Sequence, residues 1–237
     1  PFENNFIFGP ENSGHNAQFL NQTLSQLNVV MPTLNTISMT PEDISPVSVT
    51  QNDSNVGLLS MRMSTDKTSA RVQAVKLLQR VTANDSDIDL IKVWQDANDN
   101  CILDSVDVAT DAAGNYPNLM SYGNESYSSS TVNIVLKKEI IVTTTPACAF
   151  ITYDMSQFAI VGSSAALYLS SAPSFTIGIP NTITLSTWPI ATMPMIVKEI
   201  PSQVFLGAND VSADLVLQGG VGQAQVRVPM ARLNLVT

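Results

Sequence analysis

The sequence predicts an all-β protein, an antiparallel β-sandwich or barrel. Three observations predict it. Short runs rich in Val, Ile, Thr, Phe and Tyr recur along the chain. Clusters of Gly, Pro, Asn, Asp and Ser separate them. Only one stretch carries apolar residues at a helical spacing.

In chain order, HNAQFLNQTLSQL (15–27) comes first. It places Phe19, Leu20, Thr23, Leu24 and Leu27 near one face and predicts a short helix or an irregular connection. Strands follow at LLSMRMS (58–64), ARVQAVKLLQRV (70–81) and LIKVW (90–94). After an acidic stretch come TVNIVL (131–136), EIIVTTT (139–145) and AFITYD (149–154). AALYLS (165–170), FTIGI (175–179) and TITLS (182–186) complete the set.

Composition narrows the function. Of 237 residues, 44% are hydrophobic, enough for a substantial core, and only 13% are charged. Ser, Thr, Asn and Gln do the solubilising, a pattern that points to an exported, extracellular or cell-surface protein. The formal net charge of −9 excludes nucleic acid as a partner, because backbone binding needs clustered Lys and Arg. No apolar run is long enough for a membrane span. The chain opens at Pro1 with no initiator Met and no basic-then-apolar start, so a processed product or a piece of something longer is expected.

An internal repeat gives the organisation. NFIFGPENS (5–13) matches SFTIGIPNT (174–182) at an offset of 169, with Phe6 on Phe175, Gly9 on Gly178 and Asn12 on Asn181. The same offset sets Pro32-Thr33 on Pro201-Ser202. At 172, Gln51 falls on Gln223, Val56 on Val228, Met61 on Leu233 and Met63 on Leu235. The expected domains are therefore 1–45, the end of a preceding repeat or an extended N-terminal segment; 46–200, a complete sandwich; and 201–237, the start of the next repeat or exchanged strands. The terminal strands, FENNFIFG and RVPMARLNLVT, are expected to be shared with neighbouring units, since an uncovered edge strand invites wrong pairing.

The runs DSDIDLIKVWQDANDNCILDSVD (85–107) and IVTTTPACAFITYDMSQFAIVG (141–162) resemble a recurrent unit of large repetitive bacterial surface proteins. In that unit a strand ending Ile-Lys-Val-aromatic feeds an Asp-x-Asn-x-Asn/Asp-Gly loop, and a Thr-rich turn precedes an aromatic strand. The resemblance covers about residues 46–205. It implies an immunoglobulin-like sandwich used as a structural or adhesive module, and a jelly-roll-like sandwich is the alternative fold expected. It implies no activity. The sequence departs from the pattern at Cys101, where the unit has glycine.

The loop DANDNCILDSVD (96–107) carries the strongest site signal. Asp96, Asn98, Asn100, the Ile102 carbonyl, Asp104 and Asp107 hold positions 1, 3, 5, 7, 9 and 12 of an EF-hand-like calcium loop. Asp107 stands where a longer bidentate Glu is usual, which predicts weaker binding. Position 6, Cys101, is expected at positive φ, a conformation that costs a non-glycine residue about 1 kcal/mol. Asp89 and Asp111 flank the loop as substitute ligands. The bland alternative is a loop of Asx turns with no ion. Magnesium suits so many carboxylates and amides less well.

Cys101 and Cys148 are the two cysteines, and in an exported chain such a pair is expected to be a disulfide. Two buried free thiols is the alternative. Closing this loop would contribute about 4 kcal/mol by chain entropy.

The catalytic search argues against an enzyme. His15 is the one histidine, and neither a Gly-x-Ser-x-Gly elbow nor a phosphate-binding glycine loop occurs. Trp94 is expected as a core aromatic at the base of the loop rather than a sugar platform. Trp188, in a Pro-rich connection, is expected at a boundary between units. The first expectation is thus a non-enzymatic structural module of an extracellular filament, stalk or surface layer, stiffened by calcium and a disulfide, with neighbouring copies or repeats of itself as partners. The second is an adhesin or carbohydrate-binding module with a glycan ligand.

Overall fold

The structure is a computed structural model and describes residues 34–185 and 187–200, together with the strands 205–209 and 232–236. The expected helix at 15–27, the N-terminal copy of the repeat and His15 lie outside these residues. The described residues all belong to one compact unit, Thr33–Thr237.

Two sheets make the sandwich. The first contains β1 (Thr36–Asp43), β3 (Val56–Thr65), β5 (Ile88–Gln95), β7 (Ala147–Met155) and β10 (Thr182–Thr184) in the order β10-β1-β3-β7-β5. The second runs β2-β12-β8-β4-β6, from β2 (Ser48–Thr50), β12 (Met195–Lys198), β8 (Ser164–Leu169), β4 (Ala70–Arg80) and β6 (Thr131–Val142). Two short strands, β9 (Phe175–Ile177) and β11 (Ile190–Ala191), join it by pairing with β4 and β8.

Period-two patterning fixes which face of each strand is buried. On β4, Val75 and Leu77 face Ile134 and Val132 of β6 across the ladder, and all four are core residues. The intervening pair, Lys76 and Asn133, points to the other face. The register shifts between Val72 and Ala74 opposite residues 136–139, which makes one bent strand of the expected pair TVNIVL and EIIVTTT. Such a bulge restores the inward alternation, so that Ile140 and Val142 return to the core opposite Val72 and Ala70.

Two expectations need correction. The sandwich is not wholly antiparallel: β1 pairs with β10, and β2 with β12, in parallel. These pairs lie some 146 residues apart in sequence, too far for a hairpin, and parallel strands need such a long crossover. Nor does the sandwich begin at residue 46. β1 precedes that point and pairs with β3 over seven residues, Ile37 to Asp43, with Ile37 and Met39 in the core.

Beyond residue 200, β13 (Phe205–Asn209) pairs antiparallel with β14 (Arg232–Val236) as a separate two-stranded sheet.

Candidate functional site

β7 is buried on both faces, and this creates the site. Ala149, Ile151, Tyr153 and Met155 enter the core between the sheets. Cys148 and Phe150 point the other way and form a second apolar cluster with Trp94 and Leu119. The residues that follow β5 fold back over this outer face. Ile44, Cys101, Leu103 and Val108 pack against the cluster from above.

The covering segment is tied to sheet edges that would otherwise be bare. Gln95 N donates to Asn118 O (2.9 Å), Met120 N to Val93 O (2.8 Å) and Ile91 N to Glu125 O (2.8 Å), all along the outer edge of β5. Lys137 N of β6 donates to Met120 O at 2.9 Å. One irregular segment thus covers edges of both sheets, which blocks pairing with a foreign strand there. Trp94 is fully buried beneath it, with Nε1 donating to Thr152 Oγ1 at 2.9 Å. It is a core aromatic, as expected. Trp188 packs on the sandwich's own core beside Phe175.

The disulfide between Cys101 and Cys148 is present, with Cα atoms 5.3 Å apart. It fastens the tip of the acidic loop to β7. Cys101 has φ of 58°, the left-handed conformation that a calcium loop asks of its sixth position, and Asp99 has φ of 57°.

The loop's oxygens are used within the loop. Asp96 Oδ1 accepts from Asn98 N (3.1 Å), Asn98 Oδ1 from Asn100 N (3.3 Å) and Asn100 Oδ1 from Ile102 N (2.7 Å). Asp104 Oδ1 accepts from Val106 N at 2.8 Å. Each is a side chain bonding the backbone two residues on, an Asx turn. The odd-numbered spacing of a calcium loop is therefore also the spacing of a ladder of Asx turns. Asp96 Oδ2 takes the Cys101 N–H at 2.6 Å. The buried Asp107 clamps both ends, accepting from Ala97 N (2.8 Å) and Asp104 N (2.9 Å). Ile102, whose carbonyl was the expected seventh-position ligand, is exposed.

Asp104 is the focus of the loop's exposed side. Its Oδ2 accepts from the side-chain amides of Asn98 (3.0 Å) and Asn100 (3.1 Å). The Val106 N–H and these two amides hold its carboxyl below the ordinary aspartate value. Among the described residues, Asp96, Asp104 and Asp107 do not form a three-carboxylate cluster. The trio that does converge within 4.8 Å is Asp96, Cys101 and Cys148, whose sulfurs are already bonded to each other. A calcium ion held by the expected set would compete with the Asn98 and Asn100 amides for Asp104.

The two substitute ligands lie elsewhere. Asp111 closes its own turn, accepting from Ala113 N and Asn115 N at 2.9 Å each. Asp89 is at the far end of β5, about 20 Å along the strand from Asp96 at some 3.3 Å per residue. There it lines an open hollow of about 540 Å³ with Asp85, Ser86, Ser126, Ser156 and Phe158. Buried Ile88 and Tyr127 complete the lining. No sequence signal marked this hollow, because its walls come from three stretches about 30 to 40 residues apart. Also missed was a largely buried ion pair on the outer face of the first sheet, Lys92 Nζ to Asp154 Oδ2 at 2.5 Å.

No family model matches the chain, and neither does any curated protein. Among solved structures, the chain is similar to a DUF4466 family protein from Parabacteroides merdae. The TM-score is 0.36 and the identity 9%, over 75% of this chain and 50% of that one. The chain thus spans half the length of that protein, and at this score the likeness carries no argument. Among the described residues, no helix is long and apolar enough to cross a membrane.

Proposed function

We propose that the chain is a non-enzymatic structural module of an extracellular filament, stalk or surface layer, built from tandem or assembled copies of one sandwich. The observation that carries this reading is the pairing of β13 with β14. Moved on by 169 residues, Thr36–Thr40 of β1 falls on Phe205–Asn209. Moved on by 172, Ser60–Ser64 of β3 falls on Arg232–Val236. β1 and β3 are antiparallel partners, and so are β13 and β14, with a register that differs by two residues. The pair therefore has the character of the opening strands of a further unit.

The disulfide is compatible with export, since such bonds persist in oxidising compartments. Calcium belongs to the same proposal as a stiffener of the 96–107 loop. Asp96, Asn98, Asn100, the Ile102 carbonyl, Asp104 and Asp107 are the residues that would hold it, and the left-handed Cys101 supports that reading.

Antibodies against the chain, applied to intact cells, test the location and the assembly together. Surface labelling arranged in filaments or a lattice is expected, and labelling confined to permeabilised cells would overturn the proposal. Calorimetry with calcium and then with chelator tests the ion. A reversible rise in melting temperature is expected, and superimposable scans would remove calcium while leaving the module intact.

A further inference from the structure

We propose that the hollow at the start of β5 is a binding site for a neutral saccharide. This deepens the glycan-binding alternative drawn from the sequence and does not depend on the filament reading. A spacer domain has no need of such a hollow.

The lining defines the ligand by elimination. It contains two carboxylates, Asp85 and Asp89, and no Lys, Arg or His. In a chain of net charge −9 this rejects phosphate, sulfate and acidic sugars. Asp85 is partly used, its two oxygens accepting from Ser130 N at 3.0 and 3.1 Å. Asp89 is exposed, and its carboxylate bonds to none of the described residues. The hollow therefore wants hydrogen-bond donors.

It also offers donors of its own. Ser86 and Ser126 are exposed hydroxyls with no partner among the described residues. Ser156 is buried and accepts from Phe158 N at 3.3 Å, which leaves its hydrogen without an acceptor there. Tyr127 and Tyr153 share one hydrogen bond between two hydroxyls, so one hydrogen is left over. Tyr153 is wholly enclosed, whereas Tyr127 lines the hollow. Leaving a donor unpaired costs more inside the core, so the spare hydrogen falls to Tyr127. An ammonium group has no acceptor for any of these hydroxyls, whereas an alcohol both donates and accepts.

The last wall is apolar. Phe158 is 80% exposed, an unusual place for a large aromatic, and buried Ile88 lines the hollow with it. A pyranose ring combines what the hollow asks for: hydroxyls at its edge for the carboxylate and serines, and a C–H face for the phenyl ring. The volume lies in the range of small-molecule sites.

Saturation-transfer NMR on the intact chain tests this with maltose, cellobiose, lactose and mannobiose as probes and methylammonium as the control cation. Transfer to at least one disaccharide is expected, unchanged between about 50 and about 500 mM salt because no net charge is paired. Phe158→Ala and Asp89→Asn should each weaken binding about tenfold, the loss expected when a single stacking or hydrogen-bonding contact to the sugar is removed. Both side chains are exposed, so melting temperatures should not move. Transfer to no disaccharide, transfer indifferent to both substitutions, or salt-sensitive binding of methylammonium in place of sugar would each overturn the proposal.

Discussion

Along β7 the side chains divide between two interiors. Ile151 and Tyr153 enter the space between the sheets, where their neighbours are almost all aliphatic residues from regular strands. Phe150 and Cys148 enter the smaller interior under the acidic loop, whose roof is not a strand at all. The first is held by matched alternation on facing ladders. The second has Trp94 and Phe150 as its mass, and an irregular cover kept in place by a disulfide, a run of Asx turns and Asp107. A regular roof satisfies its own backbone groups in ladders. An irregular one must satisfy them with side chains, and this accounts for the density of Asp and Asn between residues 96 and 107.

The largest expected effect comes from removing the covalent fastening of the roof. Cys101→Ala with Cys148→Ala should cost about 4 kcal/mol in unfolding free energy, by chain entropy for a separation of 47 residues. Hydrogen exchange should show protection falling most at residues 96–125, beyond the fall that the β4–β6 ladder shares through global unfolding. Equal loss across both sheets would mean that the two interiors are one cooperative unit.

Leu77→Ala probes the other interior. Leu77 is fully buried in the main core, and the truncation should cost about 3 kcal/mol, read from denaturant midpoints. Here protection should fall in every strand of both sheets, without the disulfide variant's excess at the roof. Asp107→Ala should cost about 2 kcal/mol, since it leaves the Ala97 and Asp104 N–H groups without their buried acceptor. If Asp107 serves only as a metal ligand, that loss should vanish in chelator.

The two interiors also differ in how far they could be read from sequence. The main core was legible because alternation is local: Val75, Leu77, Val132 and Ile134 declare their face within their own strands. What failed there was pairing. The three-residue strands SVT and TIT carry too little pattern to announce parallel partners in β12 and β1. The smaller interior was legible at its fastening, since two cysteines allow a single pairing. Its roof was not. Residues 108–130 have no period, and their fit against β5 depends on backbone bonds such as Met120 N to Val93 O. The loop itself was legible as a pattern with two meanings, because calcium ligands and Asx turns both call for oxygen-bearing side chains on alternate residues. The hollow beside Asp89 was invisible, since nothing in Asp85, Ser126 or Phe158 refers to the others along the chain.

The smallest expected effect is a pH response confined to the roof. The Val106 N–H and the Asn98 and Asn100 amides stabilise the Asp104 carboxylate, so its folded pKa lies below the ordinary 3.8. A depressed carboxylate contributes stability that is fully present above the unfolded value. That contribution fades as pH falls below 3.8 and is gone once pH passes the folded value. The side chain borders solvent, so the effect should be local rather than global. Glu139 supplies the comparison on the sheet itself. Gln73 (2.8 Å) and Arg71 (2.9 Å) hold its carboxyl below its ordinary 4.5, and it joins β6 to β4 outside the roof. Amide NMR during acid titration should therefore show two transitions, each displaced below its own group's ordinary value. The Val106 and Asn100 signals should move below pH 3.8 with Asp104, and the Gln73 side-chain amide below 4.5 with Glu139. Asp104→Asn should abolish the first transition and leave the second in place. Loss of both transitions in Asp104→Asn would mean that the two regions titrate together, and a Val106 midpoint at or above 3.8 would mean that the amides do not hold Asp104 as a carboxylate.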